Sequence, residues 1–512
     1  MEAWDILVIG DGPAALRSAA KSAKHGAKTL LISSSALGSG DKSALDGLAA
    51  PIQEMNNRGH REDTIKSGYF LCDQDIVASK TSSAIDEMNH LEKAGVVFSR
   101  DSKGLPSTHK GIGHNSPRLV DAGDASIRDI QQVLEEQCMK YGVVRRSDQL
   151  PVMLVETNQK VDGLVTLDMI NGQFVAIQTK AVIIADGGFE GLFQGTAIGF
   201  GIDLALQAGM PLRGMEFIAK TPLGVANTKL SISSSILGYG ASLCNASGDT
   251  FSADSMVELC ETVLETGPAV LDGRDMGDNK VWWNSVFRTV KSATGVDMEK
   301  FTLGLENRVE QTIGGIPTDE HGRAVVGTWS RWFTGLYAAG DSACSGLNGA
   351  GTLPGNRLLD SLSGGNNAGT HAAEWVKSQP FANTENLVLA LQRCIDNHHI
   401  TGDEESAETV RRIGSIDSTL LDVATKFTSS PNSAEELAKY LEELSKTTEL
   451  AQAIHLDQTS LIANTNFVAK TRIQAGIRLL TCSIRASMAR NESRGVHNRA
   501  DFKDENPELI HH

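Results

Sequence analysis

Gly10-Asp-Gly12-Pro13-Ala14-Ala15 is the stretch whose residue types and spacing most directly suggest chemistry. It reads G-x-G-x-x-A, follows the apolar run Ile6–Ile9, and opens a helical stretch from Ala14 to His25. In that context Gly10 permits the tight turn, Gly12 lets backbone approach a pyrophosphate, and Ala15 lets the helix pack closely on the strand. The helix start offers phosphate its unpaired N–H groups and the positive end of its dipole. Pro13 suits the first turn because its missing N–H would have no helical acceptor. These residues together predict a dinucleotide site. The second apolar run, Lys28–Ile32, ends in Ser33, Ser34 and Ser35 where a carboxylate would commonly hold a ribose. Hydroxyls can bind a ribose as well, and three serines can equally be a loop.

Two later segments repeat the passage from strand into glycine. Lys180–Gly188 carries Ala185, Asp186 and Gly187 at its end, and Gly335–Asp341 carries Asp341. A glycine-rich loop, 345–356, follows, and a helix opens at about Arg357-Leu358-Leu359. The small-residue stretch Leu37–Ala50, which includes Gly47, can lie close to a flat cofactor or simply connect two elements. Three such segments, widely separated and with an insertion before the last, are how a flavin-binding domain is assembled from distant pieces.

The elements that must position these residues follow from periodicity. Residues 61–100 read mostly as helices, and Asp124–Leu134 has a period of 3.6. Val152–Val155, Gly163–Met169 and Phe174–Thr179 predict an antiparallel meander with Asn171-Gly172 as a hairpin turn. From Thr221 to Gly327 serines are scattered and periodic runs are few, which suggests an inserted capping unit. From Asn383 to Ser487 the pattern is nearly all helical, with polar breaks at Thr401–Ala407 and Ser429–Asn432.

At 512 residues, two or three domains are expected. The expected divisions are 1–220 and 328–380 for the dinucleotide-binding unit, 221–327 for the cap, and 381–512 for the helical unit and tail. A net charge of −16 argues against nucleic acid as a partner. No apolar run reaches the ~18 residues of a membrane span, and Met1–Asp5 lacks a basic leader, so no span or signal peptide is expected. Seven cysteines are scattered without a C-x-x-C pair. They point to a reducing compartment, with no metal, cluster or disulfide framework in this chain.

With these motifs in this order, the chain resembles the flavoprotein subunit family of succinate dehydrogenase and fumarate reductase, with aspartate oxidase as a relative. Ala185-Asp186-Gly187-Gly188 is similar to the family's A-T-G-G, and Ala338-Ala-Gly-Asp341 to its A-A-G-E, whose acid binds the ribityl chain of FAD. Gly209–Phe217 resembles the segment entering the family's cap, and Gly314–Thr318 the one leaving it. Gly349–Asp360, with Asn356, Arg357, Leu358 and Leu359, is similar to the flavin-side G-A-N-R-L-G-G-N-S-L-L-D, and Glu492–Asp501 to the C-terminal E-S-R-G-A-H-x-R-x-D. The resemblance implies an α/β fold: a Rossmann-like FAD-binding domain, an inserted α+β capping domain and a C-terminal helical domain. It implies FAD as cofactor, a small acid as substrate, an iron–sulfur partner subunit and a membrane-anchor subunit. The chain itself would be cytoplasmic, peripheral on the inner face of a membrane. The family's covalent histidine falls at Gly40, so the FAD should be held non-covalently.

The resemblance fails where the family clamps a dicarboxylate. Its first histidine falls on Thr221, its Thr-Glu pair near Ser233 and Ser234, its proton-donating arginine near Glu258, its second histidine near Glu310, and a further arginine on Thr352. Lys220, Thr221 and Arg357 are the remaining catalytic candidates; Arg357 takes the family's serine beside the flavin, where it could bind a carboxylate or sit against the pyrimidine edge. Three functions stay open: a divergent succinate dehydrogenase or fumarate reductase flavoprotein, an FAD enzyme with a less charged substrate, and an inactive flavin-binding subunit.

Overall fold

A computed structural model describes residues 2–36, 45–52, 57–327, 331–399, 412–429, 431–452 and 460–509, with 454, 456 and 458. Gly40, the break at Thr401–Ala407 and the terminal His511-His512 pair lie outside the described residues. The chain opens as strand β1 (Glu2–Ile9), helix α1 (Pro13–Lys24) and strand β2 (Thr29–Ile32). β1 and β2 run parallel with Ile6 opposite Thr29. Ile6, Leu7 and Val8 are all fully buried, as expected of a parallel sheet covered on both faces. A short ribbon, β3 (Leu48–Ala49) with β4 (Leu119–Val120), brackets helices α2 (Arg58–Ser67) and α3 (Gln74–Ala94). Asp73 caps α3 through the amides of Asp75 and Ile76.

Helix α4 (Ser126–Lys140) leads to β5 (Val144–Arg146), which extends the sheet beside β2. The meander is β6 (Gln149–Glu156), β7 (Val161–Asp168) and β8 (Gln173–Ile184). The expected strand Phe174–Thr179 and the run from Lys180 are one continuous strand. Its first half pairs antiparallel with β7 and its second half parallel with β1, so a break at the polar Lys180 would cost both ladders. Helix α5 (Phe200–Gln207) follows.

A second, antiparallel sheet has the order β10-β11-β12-β9, from β9 (Ile218–Val225), β10 (Ser242–Cys244), β11 (Val270–Asp272) and β12 (Leu303–Thr312). Helices α6 (Met256–Thr266) and α7 (Asn284–Thr294) cover it around the buried Trp283 and Phe287. The parallel pair β13 (Ile316–Pro317) and β16 (Ala343–Cys344) flanks the return to the first sheet through β14 (Arg323–Val326) and β15 (Arg331–Ala338). That sheet has the order β14-β15-β8-β1-β2-β5, with β6 and β7 built onto β8.

Helix α8 (Asn356–Val376) crosses α1 at very short range. A Cβ at Gly365 would stand 2.5 Å from the Ala14 carbonyl, and one at Gly369 2.4 Å from that of Ser18. Small residues on both helices permit this crossing, which brings the N-terminal part of α8 beside the β1–α1 turn. Helices α9 (Glu385–His399), α10 (Ile413–Ser429), α11 (Ala434–Gln452) and α12 (Thr465–Ala489) complete the chain. The last three share a core with Phe189, Ile202 and Ile218, and Arg478 ties α12 to Asp203 of α5 at 2.6 and 2.7 Å. The tail folds back through a buried ladder: Glu492 bonds Arg490 at 2.7 Å and Arg494 at 3.0 Å, and Arg490 reaches Glu216 at 2.7 Å. His497 and Arg499 are buried in this tail, Arg499 donating to the carbonyls of Ser487 and Arg490.

Candidate functional site

The first motif borders a cavity of about 340 Å³ at the start of α1. Gly10 makes the turn at φ +124°, and a Cβ there would stand 2.2 Å from the Ala185 carbonyl, so no side chain fits. Gly12 differs: its φ is −82° and, among the described residues beyond its chain neighbours, no atom lies within 4 Å of where a Cβ would be. The space at Gly12 is open to a ligand, while the space at Gly10 is taken up by the chain. Pro13 and Ala14 line the cavity with Gly10 and Gly12, whereas Ala15 is buried beneath it.

Ser33 and Ser34 line the far wall, and Ser33 Oγ meets Ser35 Oγ at 3.0 Å. Ser35 also donates to Asp11, whose carboxyl burial pushes up. From β8 come Ala185, Asp186 and Gly187. Asp186 accepts from the Gly201 amide at 2.8 Å and from Ser342 at 3.2 Å, and burial pushes its carboxyl up to about 6. Asp341 closes the cavity at the α8 side.

Beyond Asp341 lies a smaller cavity of about 20 Å³, lined by Leu45, Asp46, Met256, Glu310, Gln311, the loop 352–355, Arg357 and Leu358; Leu45 faces both cavities. Gly355 turns at φ +84° to start α8, and the loop is fixed from below. His114 bonds the Pro354 carbonyl at 2.9 Å, and Asn356 turns its amide to His60 (2.8 Å) and Thr64 (2.9 Å). Asn356 therefore sets the loop with its side chain, and Leu359 is fully buried behind it. Gly47 stands at the same turn, where a Cβ on Gly355 would meet its carbonyl at 2.8 Å.

Arg357 points into the joint between the cavities. Its guanidinium grips Asp341 at 2.5 and 2.6 Å, donates to the Glu310 carbonyl at 3.0 Å, and stands 3.7 Å from Glu190. Gln311 holds the other Asp341 oxygen at 2.8 Å. Glu190 is raised by burial, against the pull of Arg357.

Glu310 occupies its place through a strand irregularity. The β12–β9 register slips between Val309 and Gln311, and this bulge lets neighbours Glu310 and Gln311 line one cavity. Burial, then the charge of Asp46, pushes the Glu310 carboxyl up to about 8. Asp46 is 8% exposed, and its Oδ1 accepts from Ser233 (2.7 Å), Ser234 (2.8 Å) and the Ser235 amide (3.3 Å). Burial raises Asp46 as well, while the two hydroxyls hold it down. The serines that stand in for the family's Thr-Glu pair thus anchor a carboxylate from a distant loop, which nothing in the sequence near Asp46 announced.

The three catalytic candidates do not meet. Adjacent residues of a strand face opposite ways. Lys220 turns to a separate cavity beside α6 and α10, where it bonds the Thr428 carbonyl and burial lowers its ammonium pKa. Thr221 is buried and bonds the Leu223 amide. Only Arg357 reaches the small cavity. Glu258 is exposed and folds onto the Asp254 amide at 2.8 Å, leaving Met256 as the α6 contribution.

Two family models match: the FAD binding domain over 5–289 and 307–358, and the fumarate reductase flavoprotein C-terminal domain over 420–511. The chain belongs to the succinate dehydrogenase and fumarate reductase flavoprotein family. It is similar to the succinate dehydrogenase flavoprotein subunit of Rickettsia bellii, at 27% identity over 98% of this chain and 91% of that one. It is also similar to the fumarate reductase flavoprotein subunit of Escherichia coli K12, at 26% identity over 97% and 88%. The fold matches the flavoprotein of an E. coli quinol–fumarate reductase with a TM-score of 0.90 at 23% identity, over 99% of this chain and 93% of that one. The protein is an FAD-dependent oxidoreductase of this type.

The residues present fit that cofactor. The open space at Gly12 and the uncapped start of α1 suit a pyrophosphate, the serines suit a ribose, and the cavity runs on to Asp341 and Ser361. FAD bound here would supply two-electron chemistry at the α8 end.

Proposed function

We propose that this chain carries FAD non-covalently and exchanges electrons between an iron–sulfur partner subunit and a substrate less negatively charged than a dicarboxylate. The supporting observation is the lining of the small cavity. The one cation among its described lining residues, Arg357, is already engaged by Asp341 and the Glu310 carbonyl, and two carboxyl groups, Asp46 and Glu310, face the same space. A dicarboxylate brought here would meet two carboxyl groups and no unengaged cation among the described lining residues, in a poorly solvated site.

The roles of the chain's own groups follow. Gly12 and α1 fix the pyrophosphate, and Asp341 stands where the ribityl chain passes. The α8 N-terminus favours the negative charge that gathers on a reduced flavin. Leu45, Met256, Leu353 and Leu358 exclude water from the reacting face. Electrons leave through a partner because the relatives are subunits of larger oxidoreductases, and a membrane anchor would tether the assembly. No helix among the described residues is long and apolar enough to cross a membrane.

The test is the anaerobic visible spectrum of the purified protein before and after addition of succinate. A flavin spectrum that succinate leaves unbleached is expected, and acid precipitation should release the flavin into the supernatant. Bleaching by succinate would refute the substrate reading. Flavin retained in the pellet would refute the non-covalent one.

A further inference from the structure

One guanidinium faces two carboxyl groups at the joint between the cavities. Arg357 holds Asp341 Oδ2 at 2.5 and 2.6 Å, while Gln311 holds Oδ1 at 2.8 Å. The second acid, Glu190, stands 3.7 Å from the same guanidinium and is only 4% exposed. Its Oε1 accepts from the Thr312 amide at 3.0 Å and from the Thr312 hydroxyl at 3.1 Å. The glycine that ends the β8 motif makes room for this packing, since a Cβ on Gly188 would stand 2.5 Å from Glu190 Oε1.

With Arg357 charged and both acids ionised, the buried trio would carry one uncompensated negative charge. A proton on one acid removes it. Asp341 has the close grip and Glu190 the long one, so the proton belongs on Glu190. Burial pushes its carboxyl up to about 7 against the pull of Arg357, so both forms are present near neutral pH. We infer that Glu190 couples proton uptake to flavin reduction, acting through the guanidinium of Arg357.

The negative charge of a reduced flavin at the α8 end draws on that guanidinium and leaves the Glu190 carboxylate less compensated. For each two electrons accepted, the flavin binds its own proton and Glu190 takes one more from water; reoxidation returns both. The charged groups acting on Glu190 among the described residues are Arg357 of α8, which opposes its proton, and Asp341 after β15, which favours it. β12 contributes the Thr312 amide and hydroxyl, and α10 meets the Glu190–Phe193 turn with apolar side chains, including Ile416 and Leu420. This coupling requires the flavin ring at the α8 end and is independent of which substrate the protein takes.

The experiment is a potentiometric titration of the FAD-loaded protein with mediator dyes, repeated from pH 6 to pH 9. If reduction tightens the hold of Glu190 on its proton about tenfold, the potential falls by about 30 mV more over that range than the flavin's own proton requires. Glu190→Gln should match the wild type near pH 6, where Glu190 is mostly protonated in both states, and lie about 30 mV above it near pH 9. Thr312→Val removes one donor to the carboxylate and should move the steep segment to higher pH. Arg357→Gln should lower the potential throughout and remove the segment, because Glu190 then keeps its proton in both states. Parallel pH profiles for wild type and Glu190→Gln, or a steep segment lost in Glu310→Gln and kept in Glu190→Gln, would overturn the inference alone. An Arg357→Gln potential equal to that of wild type would overturn it together with the placement of the ring at the α8 end.

Discussion

At the α1 end of the FAD cavity the backbone makes the site: Gly10 turns where no side chain fits, Gly12 leaves open space, and a helix N-terminus faces in. At the α8 end side chains make it, drawn from the loop at Asp46, the bulge at Glu310 and the helix at Arg357. Backbone geometry tolerates few residue types, so the first end keeps its glycines. Side chains can be exchanged without moving the chain, so the proposed substrate end can depart from the family while the fold around it stands.

The largest effects should come from the two glycines, and they should differ in kind. Gly10→Ala forces a Cβ against the Ala185 carbonyl at positive φ. It should cost roughly 3 kcal/mol or more of stability, seen in the urea unfolding midpoint. Gly12→Val places its Cβ where no described residue beyond the chain neighbours comes within 4 Å. It should leave apoprotein stability within about 0.5 kcal/mol of wild type while weakening FAD binding roughly a hundredfold. If Gly12→Val binds FAD like wild type, the backbone cradle does not hold the pyrophosphate.

Asp341 joins the two ends, since it lines the large cavity and pairs with Arg357 of the small one. Asp341→Ala takes from a mostly buried guanidinium its nearest carboxylate and should cost about 3 kcal/mol. Adding Arg357→Ser should restore much of that stability, because the buried charge goes with it. A double variant no more stable than the single one would show that the pair is not coupled.

The same contrast explains what could be read in advance. The β1–α1–β2 unit is contiguous, and its period, glycines and proline name the structure locally. The small cavity and the bonds behind it join Asp46, Ser233, Ser234 and Glu310, which lie up to 264 positions apart by their residue numbers (310 − 46). The resemblance located Glu310 and the serines as departures, but the bond from the serines to Asp46 exists only once the second sheet closes over the first. Lys220 and Thr221 were grouped because they are neighbours in sequence, and strand alternation then pointed them apart. The meander was legible from its turn residues, yet the continuity of β8 was not, because it depends on two different partners along one strand.

Glu310→Gln should give a smaller, pH-dependent effect. The folded pKa of Glu310, about 8, lies above its ordinary value of 4.5, so the folded protein holds a proton that the unfolded chain releases. Wild-type stability should therefore fall as pH rises from about 4.5 to about 8 and level off above. The variant lacks this loss and should gain on the order of 2 kcal/mol relative to wild type by pH 9. Chemical unfolding at pH 5 and pH 9 checks it. Equal differences at the two pH values would mean that Glu310 is not buried against Asp46.

Lys220→Met should have the smallest effect and marks the limit of the substrate end. Lys220 faces a different cavity from Arg357, so the flavin spectrum should be unchanged. Its stability effect should stay within about 1 kcal/mol, since the lost bond to the Thr428 carbonyl offsets the removal of a half-buried charge. The pH dependence carries the sign. Burial lowers the folded pKa below the ordinary 10.5, so the unfolded chain holds the proton longer and wild-type stability rises as pH climbs between the two values. Any advantage of the variant at pH 7 should therefore shrink toward pH 10. A changed flavin spectrum in Lys220→Met would instead join the two cavities into one site and remove the contrast between the face that holds Arg357 and the lysine behind it.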